Sequence, residues 1–398
     1  LAVITRQTDG SPANMPGNLS LSPLAPTGNG RYVYFESRST LHLSGVSDTN
    51  GDPDLFMVDL DPDANGDYFD DNYVTVGISK SSPTSMANDL SQKPSVTLDG
   101  RFLVFRTQAT NLHPDLADNG TTADALLMRF SGSADDGTLD VSSPELVPIN
   151  REAFFGGSSV TASGIEDVKI APLTEDVVFS TRSNITGTND TNNQSLGKDV
   201  YFSFKTGNPQ NRFISWVSKD TSFGNSSETI TEIFKTLSIS THEPITAFDA
   251  FKIGWVSQHN DIVAGDSNGV TDLFRAVNDS PTTTGLAAPN WITAGQPSGA
   301  STLLGGMIGN GRSAWWATRQ EYTTPYSPTG FTNLYRRRID PVVTTTLTVT
   351  TVGGGSVTRS LAGTATGNPD AFEYGDDESV ILDAVPDVGF QFAGWQGI

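Results

Sequence analysis

The residues of this chain best placed to do chemistry are oxygen donors. Asp61-Pro62-Asp63-Ala64-Asn65-Gly66-Asp67 sets side-chain oxygens on alternate positions with Gly at the sixth, the way a short loop wraps a hard cation that takes oxygen ligands. Asn72 stands at the twelfth position, where the helix-flanked form of this loop carries Glu, which leaves Asp70 and Asp71 as substitutes. Asp61, Asp63, Asn65, Asp67 and Asp70 are thus the expected ligands of a structural calcium ion. The competing reading is a solvated acidic hairpin tip, although Asp61, Asp63, Asp67, Asp70 and Asp71 repel one another unless something neutralises them.

Other candidates carry less. Asp48-Thr49-Asn50-Gly51-Asp52, Asp118-Asn119-Gly120 and Asp266-Ser267-Asn268-Gly269 read as turns in which Asp and Asn bond their own backbone. Gly265-Asp266-Ser267-Asn268-Gly269 matches the nucleophile-elbow string, but that motif needs a helix after it and here a second strand follows. His42, His113, His242 and His259 form no pair at metal-site spacing. Sugar cleavage requires two carboxylates facing one pocket, and Glu166 with Asp167 is the pair that an inner strand supplies.

These groups are positioned by a repeat. Asn29-Gly30-Arg31-Tyr32-Val33-Tyr34-Phe35 recurs as Asp99-Gly100-Arg101-Phe102-Leu103-Val104-Phe105 and Asn310-Gly311-Arg312-Ser313-Ala314-Trp315-Trp316, with weaker copies ending at Phe179 and Trp255. The closing aromatics Phe35, Phe105, Phe179, Trp255 and Trp316 are spaced by 70, 74, 76 and 61 residues. A second mark follows at Asp54-Leu55-Phe56, Asp124-Ala125-Leu126, Asp199-Val200-Tyr201, Asp272-Leu273-Phe274 and Asn333-Leu334-Tyr335, 17 to 20 residues after each aromatic. Two marks in phase five times define five units.

Each unit is β. Asn-Gly and Asp-Gly supply the left-handed residues of tight turns, and the runs after them are apolar on consecutive positions. Such strands are covered on both faces, as they are when sheets stack face to face. With a strand before each turn (Leu19–Ser22, Pro94–Thr97) and another after the second mark (Val74–Val76, Arg212–Val217), the count is four strands per unit. The expectation is an all-β chain: a five-bladed β-propeller of four-stranded antiparallel blades over 1–341, with blades at about 18–80, 92–150, 160–220, 230–295 and 300–340. Its inner strands are expected to expose Ser20, Ser22, Ser95, Thr97 and Thr246 to an axial funnel. Val3-Ile4-Thr5-Arg6-Gln7 repeats the signature Gly77-Ile78-Ser79-Lys80 and Trp291-Ile292-Thr293 without a unit before it, so residues 1–9 are expected to close the fifth blade.

The string Pro94-Ser95-Val96-Thr97-Leu98-Asp99-Gly100-Arg101-Phe102-Leu103-Val104-Phe105, followed by Asn111-Leu112 and Asp124-Ala125-Leu126, resembles the WD40-like repeats of TolB-type β-propellers of bacterial secreted and periplasmic proteins. The resemblance covers about 1–340. It implies an extracellular, cell-surface or periplasmic setting, and six blades are common in that family. From Val342 the chain turns to Thr-rich strands at Leu347–Thr351, Ser379–Ala384 and Gly389–Trp395, separated by Gly353-Gly354-Gly355. This segment, 342–398, is similar to a partial InlB-type B-repeat, a small β module of bacterial surface proteins.

A net charge of −21 argues against nucleic acid or anionic lipid as partners, since such affinity comes from Lys and Arg displacing counterions. The absence of Cys removes disulfides, thiolate zinc sites and thiol nucleophiles. The expectation is a non-enzymatic secreted or surface propeller that binds other proteins or surface glycans, self-assembles or serves as a scaffold. The alternative is a carbohydrate-active enzyme, hydrolase or lyase, with carboxylates at the funnel.

Overall fold

The computed structural model describes residues 24–38, 45–68, 73–116, 122–150, 153–155, 158–160, 164–172, 174–181, 199–205, 212–217, 230–233, 251–257, 263, 265–266, 272–278, 290–294, 302–308, 313–318, 333–338, 344–360, 363–366, 368, 370–375 and 380–395. Among them everything regular is β apart from one 3-10 turn, Pro114–Leu116, and no helix is long and apolar enough to cross a membrane. The chain divides into two compact units, Leu1–Arg337 and Arg338–Ile398.

The first unit is a succession of antiparallel meanders. Strands β1 (Ala25–Pro26), β2 (Tyr32–Ser37), β3 (Asp54–Asp59) and β4 (Val74–Gly77) make the first sheet in that order, and a short hairpin of β5 (Lys80–Ser82) and β6 (Ser85–Met86) follows. The second sheet is β7 (Ser91–Val96), β8 (Phe102–Thr107), β9 (Asp124–Ser131) and β10 (Asp140–Pro148). The third begins with a hairpin of β11 (Ala153–Phe155) and β12 (Ser158–Val160), then runs through β13 (Ile165–Ile170), β14 (Val177–Thr181), β15 (Asp199–Lys205) and β16 (Arg212–Trp216). Parallel pairing of β11 with β16 widens it to six strands. The fourth contains β17 (Ile230–Ile233), β18 (Phe251–Ser257), β19 (Asp272–Asn278) and β20 (Asn290–Trp291), and the fifth β21 (Thr302–Ile308), β22 (Ser313–Thr318) and β23 (Asn333–Arg338).

The two sequence marks are cross-strand neighbours. Phe35 lies opposite Phe56, Phe105 opposite Leu126, Phe179 opposite Tyr201 and Trp255 opposite Phe274. Four such pairs stack, with centroids 5.7 Å apart for Phe35–Phe56, 5.8 Å for Phe179–Tyr201, 6.0 Å for Trp255–Phe274 and 5.9 Å for Trp316–Tyr335. The near-constant offset between the marks therefore reflects the hairpin joining the second and third strands of each sheet.

Alternation within these strands sends side chains to two opposite interfaces. Tyr34, Leu55 and Met57 of the first sheet pack with Leu103, Phe105 and Leu126 of the second. From the other face of the second sheet, Val104, Ala125 and Leu127 meet Val168, Phe179 and Tyr201 of the third. The third in turn offers Val178, Val200 and Phe202 to Ile253, Trp255 and Phe274 of the fourth. Consecutive apolar residues are required because successive sheets lie face to face and the middle ones are covered on both sides.

Turns between first and second strands are locked in a common way. Thr27 donates its hydroxyl to Asn29 (2.8 Å) and Thr97 to Asp99 (2.6 Å), while the amides of Tyr32 and Phe102 return to those hydroxyls at 3.2 and 3.1 Å. Gly30 (φ 76°) and Gly100 (φ 74°) take the left-handed position. A backbone bond of the same span closes all three turns, Thr27 N–H to Tyr32 C=O (2.9 Å), Thr97 N–H to Phe102 C=O (3.0 Å) and Ala171 N–H to Asp176 C=O (2.8 Å); Ala171 has no hydroxyl, and in its turn Thr174 donates to Asp176 (2.7 Å). Backbone bonds link turn to turn, from Gly28 N–H to Leu98 C=O and from Leu98 N–H to Pro172 C=O, both 2.7 Å.

One expectation is corrected here. Ser95 and Thr97 do not face an open funnel; both are fully buried, Ser95 accepting the amide of Ile170 (3.2 Å) and Thr97 serving the turn. Val3–Asp9, Leu19–Ser22 and Thr246 lie outside the described residues; among the described residues Ile230–Ile233 pairs with β18.

In the second unit β24 (Thr344–Thr348) pairs with β27 (Ala371–Gly375), which also pairs with β26 (Thr364–Ala365); β25 (Gly355–Arg359) pairs with β28 (Leu382–Pro386). Ala371 and Tyr374 are buried, and the Arg359 guanidinium lies 3.5 Å over the Phe372 ring. The expected strand over Gly389–Trp395 is not formed. Gly389 (φ 92°) and Gly394 (φ 139°) leave the extended conformation, and Phe392 packs on Trp395 at 5.1 Å.

Tyr34 is fully buried, stacked on Phe130 at 6.3 Å, and its hydroxyl has no hydrogen-bond partner. Burial pushes its ionisation well above the usual phenol range. Tyr34→Phe keeps the ring and removes the unpaired group, so it should stabilise the fold by about 1 kcal/mol in urea unfolding. A loss of stability would mean that the hydroxyl is partnered.

Candidate functional site

The aspartates that open the third strands are buried. Asp54, Asp124, Asp199 and Asp272 are all 2 % exposed or less. In the first sheet Asp54 Oδ1 accepts the Ser79 hydroxyl (2.6 Å), and Ser79 Oγ accepts the Leu55 amide (2.9 Å). In the second, Asn150 donates to Asp124 (2.6 Å) and accepts the Ala125 amide (3.0 Å). In the fourth, Thr293 donates to Asp272 and accepts the Leu273 amide (3.1 Å). The residue before each polar group donates its amide to the carbonyl of the residue after the Asp: Ile78 to Leu55, Ile149 to Ala125 and Ile292 to Leu273, at 2.8 to 2.9 Å. The third sheet keeps the Val217–Val200 backbone bond (2.8 Å). Asp54, Asp124 and Asp272 thus clip the segment after a fourth strand back onto the third.

Asp54 is the outlier among them. Its Oδ2 is buried without a hydrogen-bond partner. Burial, with the nearby charges of Asp48 and Asp52, pushes its pKa up to about 7 against the pull of the Ser79 hydrogen bond.

A second polar cluster joins the first three sheets. The first strands of the second to fifth sheets each carry a bulge near their start. On the bulge in β7, Lys93 adopts φ 55°, and its amide donates to Glu36 Oε2 of the first sheet (3.2 Å). The Lys93 ammonium reaches the third sheet, donating to the Glu166 carbonyl (2.8 Å) and lying 3.5 Å from the Asp167 carboxylate. Arg106 donates to the Ile165 carbonyl (2.7 Å) and to Gln92 (3.1 Å). Burial lowers the Arg106 pKa, opposed by the charges of Glu166, Asp167 and Glu36. The fold therefore brings Glu166 and Asp167 together with two cations, Lys93 and Arg106.

The 61–67 loop is a hydrogen-bonded turn. Asp61 is 4 % exposed, and its carboxylate accepts the amides of Asn65 (2.8 Å) and Gly66 (3.1 Å). Asn65 donates to Asp63 (3.1 Å) and accepts the Asp67 amide (2.7 Å). Asp70 lies outside the described residues. Among the described residues no three acidic or His side chains gather as metal ligands.

The remaining candidates separate. In the 48–52 loop Asp48 accepts the Asn50 amide (3.2 Å), Asn50 accepts the Asp52 amide (2.7 Å) and Asn50 donates to the Ala87 carbonyl (2.8 Å). Asp266 is buried; Ser267, His42, His242 and His259 lie outside the described residues. His113 accepts the Asp115 amide (3.2 Å). The clip partners Ser79, Asn150 and Thr293 escaped sequence reasoning as partners of the buried aspartates, although one polar residue after each fourth strand was the available signal. Glu36, Lys93 and Arg106 gave none, because their meeting depends on bulges and on packing between sheets. No protein-family model matches the chain, and a search of curated proteins returns no match.

Ser79→Ala leaves the Asp54 Oδ1 and the Leu55 amide without these partners and should cost about 2 kcal/mol in urea unfolding. Because the folded-state pKa of Asp54 is raised, its contribution is fully present below the unfolded value near 4 and is lost as pH rises through about 7. Stability should therefore fall by up to about 1.4 kcal/mol per pH unit within that window, and Asp54→Asn should flatten the slope. Identical pH profiles for the two proteins would contradict the assignment.

Proposed function

We propose that residues 1–341 form a five-bladed β-propeller of the TolB type, acting as a non-enzymatic secreted or cell-surface scaffold that binds other proteins or surface glycans. The observation that carries this reading is the face-to-face stacking of consecutive four-stranded meanders, each buried against the next. Repeated backbone bonds accompany it, from Ser91 N–H to Pro53 C=O (2.7 Å) and from Ile165 N–H to Ala123 C=O (2.9 Å), joining each sheet to the next in the same sense. Radial repetition of sheets is the arrangement these contacts favour. The scaffold role is supported by the polar groups themselves. The buried aspartates clip strands and the 48–52 and 61–67 loops cap their own amides, so their charge serves architecture.

The carbohydrate-active reading asks Glu166 or Asp167 to hold a proton as general acid. Asp167 is instead engaged with the Lys93 ammonium at 3.5 Å, and the same ammonium bonds the Glu166 carbonyl. Solution scattering should fit a flat five-bladed disc, and a broad panel of glycans should bind or be ignored without turnover. Cleavage that disappears in Glu166→Gln or Asp167→Asn would overturn the scaffold reading.

Calcium belongs to the same proposal as a stabiliser of the 61–67 loop, supported by its oxygen spacing and by the negative charge gathered there. Binding must compete with the hydrogen bonds that Asp61 and Asn65 already make. EDTA should lower the melting temperature and Asp63→Ala should remove that sensitivity; a melting curve unmoved by EDTA rules the ion out.

A further inference from the structure

Three Asn-Gly pairs lie among the described residues, Asn29-Gly30, Asn50-Gly51 and Asn65-Gly66, and they fold alike. In each the asparagine Oδ1 accepts the backbone amide two residues on, from Arg31 (3.0 Å), Asp52 (2.7 Å) and Asp67 (2.7 Å). Each glycine takes a positive φ, 76°, 73° and 83° in turn. The pairs differ in what the glycine amide does. Gly30 N–H donates to the Thr27 carbonyl (3.0 Å) and Gly66 N–H to the Asp61 carboxylate (3.1 Å). The glycines of Asp99-Gly100 and Asp136-Gly137 are held likewise, by the carbonyls of Thr97 (3.0 Å) and Ala134 (3.3 Å). No described residue accepts the Gly51 amide; Gly51 is exposed, and a Cβ built there would meet nothing within 4 Å.

That amide nitrogen is the nucleophile when an asparagine side chain is attacked by its own backbone, and glycine presents it without a side chain in the way. We propose that Asn50 is a site of spontaneous covalent modification, converted through a succinimide to aspartate and isoaspartate, while Asn29 and Asn65 stay intact. Gly51 N bonds to Asn50 Cγ, the Cγ–Nδ2 bond breaks, and ammonia leaves carrying the proton lost by the Gly51 amide. Water then opens the ring at either carbonyl. The Asp52 amide, already donating to Asn50 Oδ1, lies where negative charge develops as Cγ becomes tetrahedral.

The product changes a tie between elements. Asn50 Nδ2 donates to the Ala87 carbonyl (2.8 Å), beside the backbone bonds from Met86 N–H to Ser47 C=O (2.9 Å) and from Ser47 N–H to Thr84 C=O (2.8 Å) that join this loop to the β5–β6 hairpin. A carboxylate has no proton to offer Ala87, and it adds a negative charge between Asp48 and Asp52. Conversion therefore loosens the hairpin from the loop.

Protein aged in mildly alkaline buffer, digested and mapped by mass spectrometry, should show Asn50 converting about tenfold faster than Asn29 or Asn65, whose glycine amides must first leave an acceptor. In urea all three glycine amides are free, and the three rates should converge. Asn50→Gln should remove the fast product. Amides of Ser47 and Met86 should exchange faster with solvent deuterium in aged protein than in fresh, and ageing should leave them unchanged in Asn50→Gln. Equal rates at the three sites in the folded protein, a faster Asn29 or Asn65, or the same ranking in urea as in the folded state would overturn the proposal. Exchange at Ser47 and Met86 untouched by conversion would overturn the loosening assigned to it.

Discussion

The second and third strands of each unit are apolar on both faces, and the rest of the structure follows from hiding them. A sheet exposed on one side alternates polar and apolar residues; the runs Leu103-Val104-Phe105 and Val177-Val178-Phe179 do not. Each therefore needs two neighbours. Burying a large aromatic side chain is worth about 2 to 3 kcal/mol, so the stacked pairs at Phe35–Phe56, Phe179–Tyr201 and Trp255–Phe274 hold much of the apolar stabilisation. Stability of this kind is shared between neighbours, as in other repeat proteins.

Polar groups settle what apolar packing leaves undetermined. Sheets that meet through aliphatic faces are free to slide, and the fixed bonds lie at the strand ends: the Thr97–Asp99 turn, the Asp124–Asn150 clip, and the Lys93 and Arg106 bridges to the third sheet. The Lys93 and Arg106 bridges set the register of the second sheet on the third, while the turn and the clip fix strands within the second. Asp54, Asp124 and Asp272 are tolerated in the interior because each carboxylate accepts a hydrogen bond from a side chain fixed after the fourth strand.

The repeat was legible because its marks are local. An aromatic at the end of one strand and an Asp opening the next recur at steps visible in the sequence, and both prove to be core positions. The position of Glu166 and Asp167 on a first strand was legible for the same reason. Their cationic neighbours were not, because Lys93 and Arg106 reach them from a different sheet about sixty to seventy residues earlier. Serine and threonine in the first strands read as solvent-facing by type, whereas Ser95 is buried by an amide from the neighbouring sheet. The hairpin at Ala153–Val160 carried no repeat signal and interrupts the spacing between units.

That hairpin shows where the architecture tolerates growth. It joins the last strand of its meander by parallel pairing, Ala153 against Arg212 and Phe154 against Phe213, so the added polypeptide continues an existing ladder at its rim. Polypeptide added at such an edge extends the ladder outward and leaves the order of the four meander strands unchanged, which gives a chain of this kind a place to grow.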